Sequence, residues 1–334
     1  MSRTVVIALD RSDLSARALP FAQDVAQLWR GRLVLVHAPV SQDEHAPVPV
    51  ELELRSIVRD LNALGITAEA VIRHDSPAQA IVDVVREREA DLIVMASHQR
   101  HGLNRWLRGS ITEDVLARAR APLVMIPGEG APVFGPRRRI LVPLDGSPTG
   151  EAALDFLRGR STNGPIELLL MRVVSHIPVV IGADATFSVD APSPSELEAE
   201  LQEAREYVAR LGDSIADSSM VVRHQVIVAA DAVARVILEA ASHEHADLIA
   251  LGTHAKTGVS RLVLGSVSEE ILESSPIPVL LVYPTRGMSA DTPSNIPSMS
   301  GVGLTNAVTS DRSAYMSTWI GVRSQPGFIP AATP

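Results

Sequence analysis

Ala246-Asp247-Leu248-Ile249-Ala250-Leu251-Gly252-Thr253-His254 decides the fold, because 156 positions earlier the chain reads Ala90-Asp91-Leu92-Ile93-Val94-Met95-Ala96-Ser97-His98. The same offset relates Gly265-Ser266-Val267 to Gly109-Ser110-Ile111, and Ile277-Pro278-Val279-Leu280-Leu281-Val282 to Ala121-Pro122-Leu123-Val124-Met125-Ile126. Nearer the start, Arg139-Ile140-Leu141-Val142-Pro143-Leu144-Asp145 answers Thr4-Val5-Val6-Ile7-Ala8-Leu9-Asp10 at an offset of 135. Two copies of one domain therefore stand head to tail, the second carrying 21 extra residues. The insertion is expected between the second and third strands, with Ile181–Ser195 as part of a longer loop.

Within each copy short β-branched runs alternate with segments whose apolar residues recur at spacings of three and four, such as Ile81, Val84 and Val85. In the first copy strands are expected near 4–9, 33–38, 68–73, 91–96 and 122–126, with helices over 12–29, 50–64, 77–89 and 110–118. Strands that alternate with helices call for a doubly wound parallel sheet with right-handed crossovers. The fold class is α/β: two tandem five-stranded domains, pseudo-dimeric, each with its ligand crevice at the carboxyl ends of the strands. The expected boundaries are 1–130 for the first domain, 131–138 for a linker, 139–284 for the second domain and 285–334 for a disordered tail, whose Ser, Thr, Gly, Pro and Asn show no sustained periodicity. The two last strands, apolar and bracketed by prolines, are expected to pair with each other.

Composition narrows the function. A formal charge of −9 with scattered Lys and Arg argues against nucleic acid as a partner. The one basic run, Arg137-Arg138-Arg139, reads as a solvated linker. Without cysteine there are no disulfides, thiolate metal sites or cysteine nucleophiles. The early apolar run Val5–Leu9 is too short for a signal peptide, and no apolar stretch approaches the ~18 residues of a membrane helix, so a cytoplasmic chain without membrane contact is expected. Neither Gly-x-Gly-x-x-Gly after a first strand, nor a P-loop, nor a Gly-x-Ser-x-Gly elbow occurs. The pairs His98/His101 and His243/His245 lack a convincing third ligand, so they read as surface residues and no metal site is expected.

Gly252-Thr253-His254-Ala255, nine residues, then Gly265-Ser266-Val267-Ser268 resembles the nucleotide motif of the universal stress protein family, and Asp145-Gly146-Ser147 matches that family's opening. The resemblance covers about 3–128 and 138–284. It implies an adenine nucleotide alpha hydrolase-like fold and binding of ATP or a related adenine nucleotide, with Mg2+ as a candidate companion. It also implies a regulatory or protective role in the stress response. Carried over by position, Asp145 with the backbone of Pro143 and Leu144 faces adenine and ribose, and Val173 packs on the base. Gly252, Thr253 and His254 with Gly265, Ser266, Val267 and Ser268 hold the phosphates. A glycine before a helix leaves the first amides open to an anion; alone, Gly265-Ser266 reads equally as a plain helix start.

Ala255 departs from the family pattern where a second glycine stands. The first copy departs further, with Ala96 and Gln99 at the early glycines, so Asp10, Gly109 and Ser110 form a weaker candidate site and that copy reads as mainly structural. No catalytic residue stands out. Two other readings stay open: an interaction module that binds no nucleotide, and a slow ATPase in which Asp145 or His254 acts as base. Partners expected are adenine nucleotide and the other half of the chain, with a homodimer also compatible.

Overall fold

The computed structural model describes residues 3–39, 49–96, 110–128, 134–135, 137–158, 160, 165–175, 193–216, 220–229, 231–253 and 264–284. Residues 285–334, read as a disordered tail, lie outside them.

The first half runs β1 (Thr4–Ala8), α1 (Asp13–Trp29), β2 (Arg32–His37), α2 (Val50–Ala63), β3 (Thr67–Ile72), α3 (Pro77–Glu87), β4 (Leu92–Ala96), α4 (Ser110–Ala119) and β5 (Leu123–Ile126). The second half repeats it as β6 (Arg139–Leu144), α5 (Pro148–Leu157), β7 (Ile166–Ser175), α6 (Pro194–Ile215), β8 (Met220–Ala229), α7 (Val233–His243), β9 (Leu248–Gly252), α8 (Ser266–Ser274) and β10 (Val279–Val282). The ten strands form one sheet, β3-β2-β1-β4-β5-β10-β9-β6-β7-β8. Each half is a five-stranded parallel sheet, and the halves join where β10 pairs antiparallel with β5, Leu280 opposite Val124.

Burial on both faces explains the near-continuous apolar strands. Val5 and Ile7 enter one core with α1, α2, α5 and α6, while Val6 enters the other with α3, α4, α7 and α8. Both cores draw residues from both halves.

Strand register refines the placement of the insertion. Arg32 pairs with Thr67, 35 residues on, whereas its counterpart Glu167 pairs with Val221, 54 residues on. Nineteen of the extra residues therefore lie between β7 and β8, and the other two follow β8. Part of the expected loop is helix instead: Ser193 caps α6, and Pro194 is its first residue. A capping box, Ser193 Oγ accepting from Glu196 N and Glu196 accepting from Ser193 N, overrides the turn-like composition. A second correction concerns Arg139, read as solvated linker but 9% exposed. Its guanidinium donates to Glu167 at 3.0 Å and to the Glu244 carbonyl, so the run of arginines ends inside a polar network.

Candidate functional site

In each half the strand order reverses beside the first strand, so the ends of β6 and β9 flank the crevice that a doubly wound sheet offers to ligands. β6 ends at Pro143 and Leu144, and Asp145 opens the turn into α5. Asp145 is exposed, and its Oδ1 accepts from Ser147 N at 2.9 Å and Ser147 Oγ at 2.6 Å. Ser147 Oγ in turn accepts from Gly150 N at 3.0 Å, which caps α5. The first half builds the same turn: Asp10 Oδ1 accepts from Ser12 N and Oγ at 3.0 and 2.6 Å, and Ser12 Oγ accepts from Ser15 N at 3.1 Å. Each aspartate thus has a structural task in holding its turn.

The position between aspartate and serine takes the left-handed backbone in both halves, φ +83° at Gly146 and +63° at Arg11. Arg11 accepts that conformation at a cost of about 1–2 kcal/mol. Its side chain forms an ion pair with Glu53 at 2.9 Å.

At the end of β9, Gly252 leaves no space for a side chain. A Cβ there would sit 1.8 Å from the Thr149 carbonyl oxygen, because the first turn of α5 crosses the strand at this point. Thr253 follows, 2% exposed, its amide bonded to the Val282 carbonyl at 2.8 Å. Its hydroxyl has no hydrogen-bond partner among the described residues. His254 lies outside the described residues.

Gly265 is the N-cap of α8, exposed, at φ −64°, with no side-chain cap. A Cβ there would meet no atom of the described residues within 4 Å. Ser266 is exposed, Ser268 is half-buried and Val267 packs against the second core, so the orphan amides of the first turn border open space. Val173, half-buried in β7, also packs against that core. Gly109 lies outside the described residues; Ser110 begins α4.

The carboxyl edge thus brings together Pro143–Asp145, Val173 and Gly252–Thr253 on three neighbouring strands. It also holds residues that sequence reasoning missed. Arg172 pairs in register with Leu144 and donates to its carbonyl at 3.3 Å; its first-half counterpart, the buried His37, places Nδ1 2.7 Å from the Leu9 carbonyl. Tyr207 of α6 donates to Glu151 of α5 at 2.9 Å, and burial followed by Glu151 pushes its phenol well above the usual range. A charged residue within the apolar run of β7 was the available signal for Arg172.

The profile of the universal stress protein family matches residues 1–127 and 136–283. The chain belongs to the universal stress protein family. Two copies of the family domain fill it up to the tail. A universal stress protein of Mycolicibacterium smegmatis is 24% identical over 84% of this chain and 97% of its own length. One from Mycobacterium tuberculosis is 28% identical over 83% and 96%. Among solved structures, a universal stress protein from Archaeoglobus fulgidus superposes with a TM-score of 0.61 at 19% identity, over 85% of this chain and 99% of that one. That likeness supports the tandem fold.

No helix among the described residues is long and apolar enough to cross a membrane, and none of their side chains form a cluster of three or more metal-ligating groups.

Proposed function

We propose that this universal stress protein binds ATP or a related adenine nucleotide through its second domain, 139–284, and acts as a cytoplasmic regulatory or protective module. The observation that carries the reading is Gly265. Nothing among the described residues demands glycine there, since a Cβ would meet none of their atoms within 4 Å, whereas a phosphate at the first amides of α8 needs that space. Asp145 and Val173 lie at the same carboxyl edge, where ribose and base would sit. The first domain, 1–130, serves mainly as a structural copy: an arginine occupies the position of Gly146, and its side chain is engaged with Glu53.

Titration with a fluorescent ATP analogue tests this. Gly265→Leu is expected to weaken binding tenfold or more, while stability changes by no more than about 1 kcal/mol because only an exposed cap position is altered. Binding that survives the substitution would overturn the placement of the phosphates at α8, and wild-type protein that binds no adenine nucleotide would leave the interaction-module reading in its place.

A further inference from the structure

Arg172 stands out at the carboxyl edge because no carboxylate among the described residues pairs with it. Among the described residues its guanidinium makes a single long hydrogen bond, to the Leu144 carbonyl, and no carboxylate lies within 4.0 Å of it. It is half-buried, where an unmatched cation costs more than it would in open water. It lies against the turn after β6: a Cβ on Gly146 would be 3.9–4.0 Å from its Nη atoms and Cζ. In the first half the same turn carries its own guanidinium, that of Arg11, and there it is neutralised by Glu53 at 2.9 Å. A cation therefore sits at the corresponding turn in both halves, supplied from different positions, and the second half's has no carboxylate within 4.0 Å among the described residues.

Its location limits what that anion is. Arg172 precedes Val173 in β7 and pairs in register with Leu144, the residue before Asp145. Its guanidinium, bonded to the Leu144 carbonyl and set against Gly146, therefore lies beside Asp145, at the ribose end of the proposed site and not at the start of α8. We propose that Arg172 is a specificity-determining residue that binds a phosphate esterified to the ribose, so that adenine nucleotides phosphorylated at the 2′ or 3′ oxygen bind in preference to those with only a 5′ phosphate. The planar guanidinium matches a phosphate with paired N–H donors, and such charge-assisted bonds are the strong ones. Asp145 and Glu151, which both act on the Tyr207 phenol, are in the same region. Without Arg172 a ribose phosphate would face carboxylates alone.

This inference rests on the adenine nucleotide reading, and calorimetric titration separates the two. AMP is compared with adenosine 3′,5′-bisphosphate and adenosine 2′,5′-bisphosphate, each differing from AMP by one ribose phosphate. In the wild-type chain one bisphosphate is expected to bind about tenfold or more tightly than AMP. In Arg172→Gln that ratio falls to one or below while AMP affinity changes less than threefold, and Arg172→Lys restores part of it. A purely structural role would weaken all three ligands together, and that result overturns the proposal. So does a wild-type ratio near one with AMP still bound, a measurement that needs no variant to fold. Failure of the wild-type chain to bind any adenine nucleotide overturns both readings.

Discussion

Gly252 and Gly265 belong to one sequence spacing but are glycine for different reasons. At Gly252 the requirement is internal, because the Thr149 carbonyl occupies the space of a Cβ. Gly252→Ala is therefore expected to destabilise the fold by roughly 1–3 kcal/mol through overpacking. Chemical denaturation measures this, and an unchanged midpoint would show that α5 can move off β9 freely. The first half holds Ala96 at the matching strand end, so its α1 accommodates a methyl where α5 does not. The motif glycine nearest the strand is thus first a packing residue, whereas a Cβ at Gly265 would meet no atom of the described residues within 4 Å.

Between elements, polar contacts do what the apolar cores cannot: they fix register and orientation. Arg32, Glu69 and Arg88 at the amino ends of the first half correspond to Glu167, Arg223 and Glu244 in the second, with every charge reversed. Arg88 pairs with Glu69 at 2.7 Å, and Arg223 bridges Glu167 and Glu244 at 2.7 and 2.9 Å. At the other edge the Tyr207–Glu151 bond ties α6 to α5. Burial raises the Tyr283 phenol as well. In the unfolded chain both phenols ionise near pH 10, but in the fold they keep their protons to higher pH. Their contribution to stability is full below about pH 10 and is lost as pH climbs toward the folded values. Thermal melts from pH 8 to 12 are expected to show a steep alkaline decline that Tyr207→Phe with Tyr283→Phe makes shallower. An equally steep decline in the double variant would place the alkaline weakness elsewhere.

Across the whole molecule, the joint between the halves is more than the β5–β10 pair. Phe134, from the segment before β6, stacks on Phe21 of α1 with ring centroids 5.0 Å apart, and its amide donates to Asp24 at 3.2 Å. Trp29 of α1 meets Phe156 of α5 edge to face at 5.8 Å. The Arg160 guanidinium lies over both rings, and Arg3 donates to the Arg160 carbonyl at 2.8 Å. These aromatics surround a small apolar cavity of about 30 Å³ on the joint. With both cores continuous across it, the halves are expected to unfold together in one calorimetric transition. Phe156→Ala should lower that transition as a unit, by about 3–5 kcal/mol. Two resolved transitions, with only the second half's shifted by the substitution, would mean that the halves are energetically separate.

The tandem α/β order was legible in the chain alone, because apolar runs ending in aspartate recur at fixed offsets and strand-helix alternation leaves few topologies. The pairing of the last strands was legible as well, from apolar edges bracketed by proline. Local composition misled at Ser193 and Arg139, where a capping box and a buried ion network depend on atoms that only the folded chain brings together. The candidate site was legible only as a set of positions. That Gly252 is glycine for helix packing, and that among the described residues a Cβ at Gly265 meets nothing within 4 Å and Arg172 meets the Asp145 turn without a carboxylate within 4.0 Å, were decided by tertiary structure. A glycine's or an arginine's role depends on which atoms from distant segments approach it, and sequence spacing does not carry that information.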